Sequence, residues 1–180
     1  MSTIDKYPDQ LGLARNVSDI LRLRKQRKVA VILGIEGGHA IEDDLAVLRM
    51  FYRIGVRVLT LTWMVNTNWA DSSGDDPKHR GLTPFGKQVV KEMNRLGMVV
   101  DVSHLSDSAF YDVLATTTKP VIASHSGCRA VCQHHRNLSD RMLRALCKNG
   151  GIIGINYFTG FLDIKASQAV EAYWNAFRPK

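Results

Sequence analysis

VILGIEGGHAIEDD, residues 31–44, begins as an apolar run and ends in a glutamate, two glycines and a histidine. Its β-branched opening reads as a buried strand, with Glu36 at the mouth. A carboxylate there, followed by glycines that admit close approach, is either a turn or part of a site.

The same pattern recurs on either side. Strand candidates are VAVILGI (29–35), VRVLTLT (56–62), MVVDVS (98–103), PVIAS (120–124) and GIIGINY (151–157). Between them lie AIEDDLAVLRMFYRIG (40–55), TPFGKQVVKEMNRLG (83–97), SDSAFYDVLATTT (106–118) and SDRMLRALCKNG (139–150), which have helical periodicity. Several of these open on Ser, Thr or Asp and stop at glycine. Alternation of strand and helix, with strands apolar on both faces, predicts a parallel sheet covered by helices, either doubly wound or closed as a barrel. One long polar loop, NTNWADSSGDDPKHRGL (66–82), interrupts the rhythm, and loops of that length in compact domains are often functional.

Composition limits the function classes. With 180 residues, 45% of them hydrophobic and 23% charged, residues 1–180 read as a single domain with a sizeable core. The formal charge of +7 is concentrated in ARNVSDILRLRKQRK (14–28), where a partial apolar stripe among the arginines and lysines predicts a solvated helix face. The run lacks interleaved aromatics and any recognition motif, so nucleic acid is not an expected partner. Cys128, Cys132 and Cys147 cannot all pair within the chain and form no C-x-x-C pattern, which points to a reducing compartment. No apolar run approaches the ~20 residues that span a bilayer, and the first residues lack a signal-peptide design. If the chain is complete as given, the cytoplasm is the expected location.

The chemistry-bearing residues follow the strands. Glu36 follows the first, Trp63 and Asn66 the second, His104 the third and His125 the fourth. Strand-end residues distant in sequence converge at the active face of a parallel barrel, which would gather Glu36, His104 and His125 into one site. Two imidazoles and a carboxylate, leaving a position for water, suit catalytic zinc and therefore hydrolysis. Each residue alone also fits a hydrogen-bonded structural role. His39, His79, His134 and His135 read as loop or helix-start residues, although the pair at 134 and 135 could line a pocket. Ser126 has no G-x-S-x-G elbow, and GIEGGH does not fit the G-x-G-x-x-G dinucleotide pattern.

ILGIEGGHAI, LTLTW with NTNWADSS, HRGLTPFGKQVVKEMNRLGMVVDVSHLSD, KPVIASHSGCRAV, HHRNLSDRMLRAL and NGGIIGINYF occur in this order. Together they resemble the membrane dipeptidase (renal dipeptidase) family of binuclear zinc peptidases, over a core of about residues 16–162. The resemblance implies a TIM-type barrel that hydrolyses dipeptides with a metal-activated water. It implies that Glu36 bridges two zinc ions and is central to catalysis, that His104 and His125 bind one of them, and that Arg136 grips the substrate carboxylate. Read without the resemblance, Arg136 is a solvent-exposed loop charge.

Two departures qualify what the resemblance implies. The family has a substrate-contacting histidine after LTLT, where this chain has Trp63. The His-x-Asp pair that binds the second zinc, and a late strand bearing an aspartate implicated in proton transfer, are not found in these 180 residues. Five strands where a closed barrel has eight make the chain read as the middle of a barrel, with the family's first and last strands missing. One of the family's two metal sites is then expected to be incomplete, which counts against activity of this shortened form. The alternative is a catalytically inactive metal-binding or interaction fragment. Unpaired sheet edges predict a homo-oligomer or a complementing chain.

Overall fold

Every strand pairing in the sheets is parallel, as expected from the strand–helix alternation. The computed structural model describes residues 3–177. A short helix, α1 (Thr3–Lys6), leads to β1 (Leu11–Leu13), α2 (Val17–Lys25) and β2 (Val29–Val31), and the two strands form a small sheet of their own. The basic run therefore becomes a crossover helix. Asn16 caps it by accepting the Asp19 N–H, and Leu23 is its buried residue, so the helix is mostly solvated.

The main sheet has the order β3 (Leu33–Glu36), β4 (Val56–Thr60), β5 (Val99–Asp101), β6 (Ile122–Ser126) and β7 (Ile152–Ile155). These strands are followed in turn by α3 (Leu45–Ile54), α4 (Pro84–Leu96), α5 (Asp107–Thr116), α6 (Asp140–Lys148) and α7 (Ile164–Phe177), with single 3-10 turns at Gly38–Ile41 and Thr159–Phe161. Sequential strand order with a helix after each strand makes this a partial TIM-type barrel. Its two edges are β3 and β7.

Local sequence signals set the helix boundaries. Thr83, Ser106 and Ser139 accept N–H bonds from Gly86, Ala109 and Met142, satisfying donors that the first helical turn leaves free. Gly55 and Gly97 close α3 and α4 with φ of 113° and 82°. The core lies between sheet and helices. Leu59, Val100 and Ala123 from the strands, with Val121 just before β6, pack with Leu48, Val89, Val90, Met93, Phe110, Val113, Met142 and Leu146 from the helices. Each such large side chain contributes roughly 1.5–3 kcal/mol through its burial.

The structure corrects two sequence boundaries. VAVILGI is not one strand: it breaks at Ile32, with β2 joining β1 and β3 joining β4. A continuous apolar run carries no periodic mark at which a change of partner can be read. The helix anticipated from Ala40 starts at Leu45, because Glu42 and Asp43 adopt left-handed φ of 49° and 55° and Asp44 caps the Ala46 N–H.

Candidate metal centre

Glu36 ends β3, where its backbone pairs in register with Thr60 of β4. The two glycines that follow have separate reasons. Gly37 has φ 101°, which disfavours a side chain. At Gly38 a Cβ would stand 2.4 Å from the Leu61 carbonyl oxygen and 2.5 Å from the Trp69 ring. The chain thus turns tightly over a buried tryptophan, leaving the Glu36 side chain 49% exposed.

His104 lies just beyond β5, with φ 70°, a conformation that costs a non-glycine residue strain. The loop after β4 holds it there. Ser73 donates its N–H to the His104 carbonyl at 2.8 Å, and Ser72 Oγ lies 3.3 Å from the same oxygen. His125 lies within β6.

Glu36, His104 and His125 therefore meet. His104 Nε2 is 2.9 Å from His125 Nε2 and 3.0 Å from Glu36 Oε1, and His125 Nε2 is also 3.0 Å from Glu36 Oε1. These are the three residues that could hold a metal ion among the described residues. The set fits: a carboxylate oxygen and two imidazole nitrogens converge closely enough to share an ion at the ~2.0–2.2 Å typical of zinc.

Electrostatics favours ligand-competent imidazole. Burial pushes the His104 pKa down to about 3, assisted by the positive field of Arg136 and by His125, with Asp101 opposing. His104 Nδ1 is buried with no hydrogen-bond partner, and the Trp63 backbone joins Asp101 in opposing the downward shift.

Arg136 is not an exposed loop charge. It is 7% exposed, and burial pulls its pKa down to about 10, against the opposing pull of Asp101 and Glu36. Its Nη2 reaches the His125 carbonyl at 3.5 Å, whereas Nη1 is buried with no hydrogen-bond partner. Phe161 lies beneath the guanidinium at 5.4 Å. His134 accepts the Arg136 N–H at 3.0 Å and stacks on His135. The histidine pair thus lies beside the buried arginine. His39 and His79 are loop staples, each with Nε2 3.0–3.1 Å from a backbone carbonyl. Trp63 is exposed next to Gly37.

A residue that sequence reasoning passed over lies beneath the site. Asp101, the last residue of β5, is 1% exposed and surrounded by donors. Oδ1 accepts the N–H groups of Ser103 and Ser124, both at 3.0 Å, and Oδ2 accepts the hydroxyls of Thr60 at 2.8 Å and Ser124 at 2.5 Å. The available signal was an acidic residue inside the apolar strand MVVDVS, which the interior does not tolerate without partners.

The sequence matches the family described as Membrane dipeptidase (Peptidase family M19) over residues 1–178. The chain belongs to this family. Dipeptidase 3 of Macaca fascicularis is 47% identical over 146 residues, which cover 78% of this chain and 30% of that relative. Among solved structures, the probable dipeptidase PvdM from Pseudomonas aeruginosa is 33% identical with a TM-score of 0.87, covering 97% of this chain and 46% of that one. A metallo peptidase from Rhodobacter sphaeroides, liganded with a phosphinate mimic of the dipeptide L-Ala-D-Ala, is 31% identical with a TM-score of 0.82, covering 88% and 46%. This chain thus spans less than half the length of each of these relatives. Membership in the membrane dipeptidase family implies metal use, and the cluster of Glu36, His104 and His125 is a candidate site for it.

Proposed function

We propose that this chain forms the zinc-binding part of a metallopeptidase that hydrolyses dipeptides, with Glu36, His104 and His125 as ligands of the ion. The supporting observation is the convergence of three ligand atoms within 3.0 Å of one another from β3, the loop after β5, and β6 of one sheet. Zinc held there would supply Lewis acidity, lowering the pKa of a water and polarising a peptide carbonyl.

The chain's own residues do the rest. Glu36 is half exposed, so its carboxylate is accessible to a second ion, in keeping with the bridging role implied by the resemblance. The His-x-Asp ligands of that second ion do not occur in the sequence, so one zinc per chain is the proposed stoichiometry. Arg136 receives the carboxylate of the dipeptide: a buried guanidinium with a free Nη1 can pair with an incoming anion in bidentate geometry. Trp63 stands beside Gly37 where it can meet substrate. Its indole N–H can donate but cannot take up a proton, so its contribution is to specificity.

Elemental zinc analysis of the purified, monodisperse chain, with a dipeptide hydrolysis assay on the same sample, tests the reading. About one zinc per chain with turnover supports it in full. Stoichiometric zinc without turnover reduces the chain to a non-catalytic metal-binding fragment. A folded chain that takes up no zinc overturns the reading.

A further inference from the structure

We infer that Asp101 and Ser124 are positioning residues that fix the tautomer of His125 and so present its Nε2 lone pair to the metal. The inference rests on the proposed role of His125 as a ligand.

Asp101 is enclosed by four donors, two backbone N–H groups on Oδ1 and two hydroxyls on Oδ2, an arrangement that uses a carboxylate purely as an acceptor. The single hydroxyl proton of Ser124 is therefore committed to Asp101. Ser124 Oγ lies 2.7 Å from His125 Nδ1, and with its proton already given away it can only accept there. His125 must carry its proton on Nδ1. That leaves Nε2 unprotonated on the side facing Glu36 Oε1 and His104 Nε2.

The neighbouring contacts stiffen the arrangement. The His125 N–H donates to Ser103 Oγ at 3.1 Å, and Ser103 Oγ lies 3.4 Å from Ser124 Oγ. Thr60, Asp101 and Ser124 come from β4, β5 and β6, so the relay ties together adjacent strands of the sheet beneath the site. An outer hydrogen-bond partner of a ligating histidine orients the ring and raises its basicity, and losing it typically weakens metal binding roughly 10–100-fold.

The test compares the wild-type chain with Ser124→Ala, Ser124→Thr and Asp101→Asn. Nitrogen-15 NMR of the histidine rings at about pH 8, where an ordinary imidazole is neutral, reads the His125 tautomer directly in the metal-free protein. The wild type and Ser124→Thr should show the Nδ1–H form, and Ser124→Ala a mixture. In Asp101→Asn the carboxamide N–H₂ can donate to Ser124, whose proton then turns to Nδ1 and favours the opposite tautomer. Zinc affinity, measured by competition with a chromophoric chelator, should fall roughly 10–100-fold in Ser124→Ala and recover in Ser124→Thr. An unchanged tautomer in both Ser124→Ala and Asp101→Asn overturns the inference, whatever the zinc affinity. A wild type that binds no zinc would instead sink the metal-site reading, and the tautomer measurement would still decide the role of Asp101 and Ser124.

Discussion

His104 Nε2 and His125 Nε2 lie 2.9 Å apart although their residues are separated by 21 positions and leave different strands. Two ring nitrogens that close, with Glu36 Oε1 at 3.0 Å from both, gain little from one another as neutral acceptors and much from a shared cation. His125→Ala should therefore reduce bound zinc from stoichiometric to trace, as read by elemental analysis after gel filtration. Retention of full zinc would remove His125 from the ligand set.

Arg136 should matter for substrate far more than for folding. Arg136→Lys keeps the charge but loses the planar fork, and a hydrogen bond to a charged group is worth about 1.5–3 kcal/mol, or roughly tenfold or more in affinity. Weaker binding of a dipeptide to the zinc-loaded variant, followed by calorimetry, checks this against unchanged binding.

The Gly38 turn offers a test of how the fold delivers Glu36. In Gly38→Ala the new Cβ meets the Leu61 carbonyl and the Trp69 ring, so the strand end must shift. The expected cost is about 1–3 kcal/mol from overpacking, together with weakened zinc binding. Urea denaturation and chelator competition measure the two effects separately.

Glu92 ties α4 to α3 and makes stability depend on pH. Hydrogen bonds from Arg95, opposed by burial and reinforced by Arg49, bring its pKa from 4.5 down to about 2. A lowered folded-state pKa stabilises above the ordinary value, and that stability is lost as the pH falls through about 4.5 toward 2. The arginines are 45% and 63% exposed, so solvent screening limits the effect to about 1 kcal/mol. Glu92→Gln should be less stable than wild type at neutral pH, and the gap in urea midpoint should close over that acidic window.

The edge strand β7 leaves Ile152 and Ile155 exposed, and on the other edge Leu33 at the start of β3 and Ile32 just before it are exposed. Such edges favour pairing with a second copy or another strand. Ile152→Lys should lower the self-associated fraction seen by light scattering without lowering zinc content.

Part of this architecture was legible because it is written locally. Thr83, Ser106 and Ser139 mark helix starts by satisfying nearby N–H groups, and Gly55 and Gly97 mark stops, so α4, α5 and α6 fall within a few residues of where the pattern puts them. The convergence of Glu36, His104 and His125 was legible for a related reason: each lies at or near the C-terminal end of a strand, and a parallel sheet gathers strand ends on one face. The first apolar run was less legible, because its division into β2 and β3 depends on pairing with β1, a three-residue strand too short to carry a periodic signal.

The alternating pattern of strands and helices, the capping residues and the strand-end placement of Glu36, His104 and His125 were determined by the sequence itself, through interactions that reach only a few residues along the chain. The burial of Arg136, the left-handed φ of His104 and the four-donor enclosure of Asp101 were decided only by the tertiary structure. Each depends on groups from other strands or loops, such as the Ser73 N–H at 2.8 Å from the His104 carbonyl and the Thr60 hydroxyl at 2.8 Å from Asp101, and contacts of that kind are set by how the elements pack rather than by neighbours in sequence.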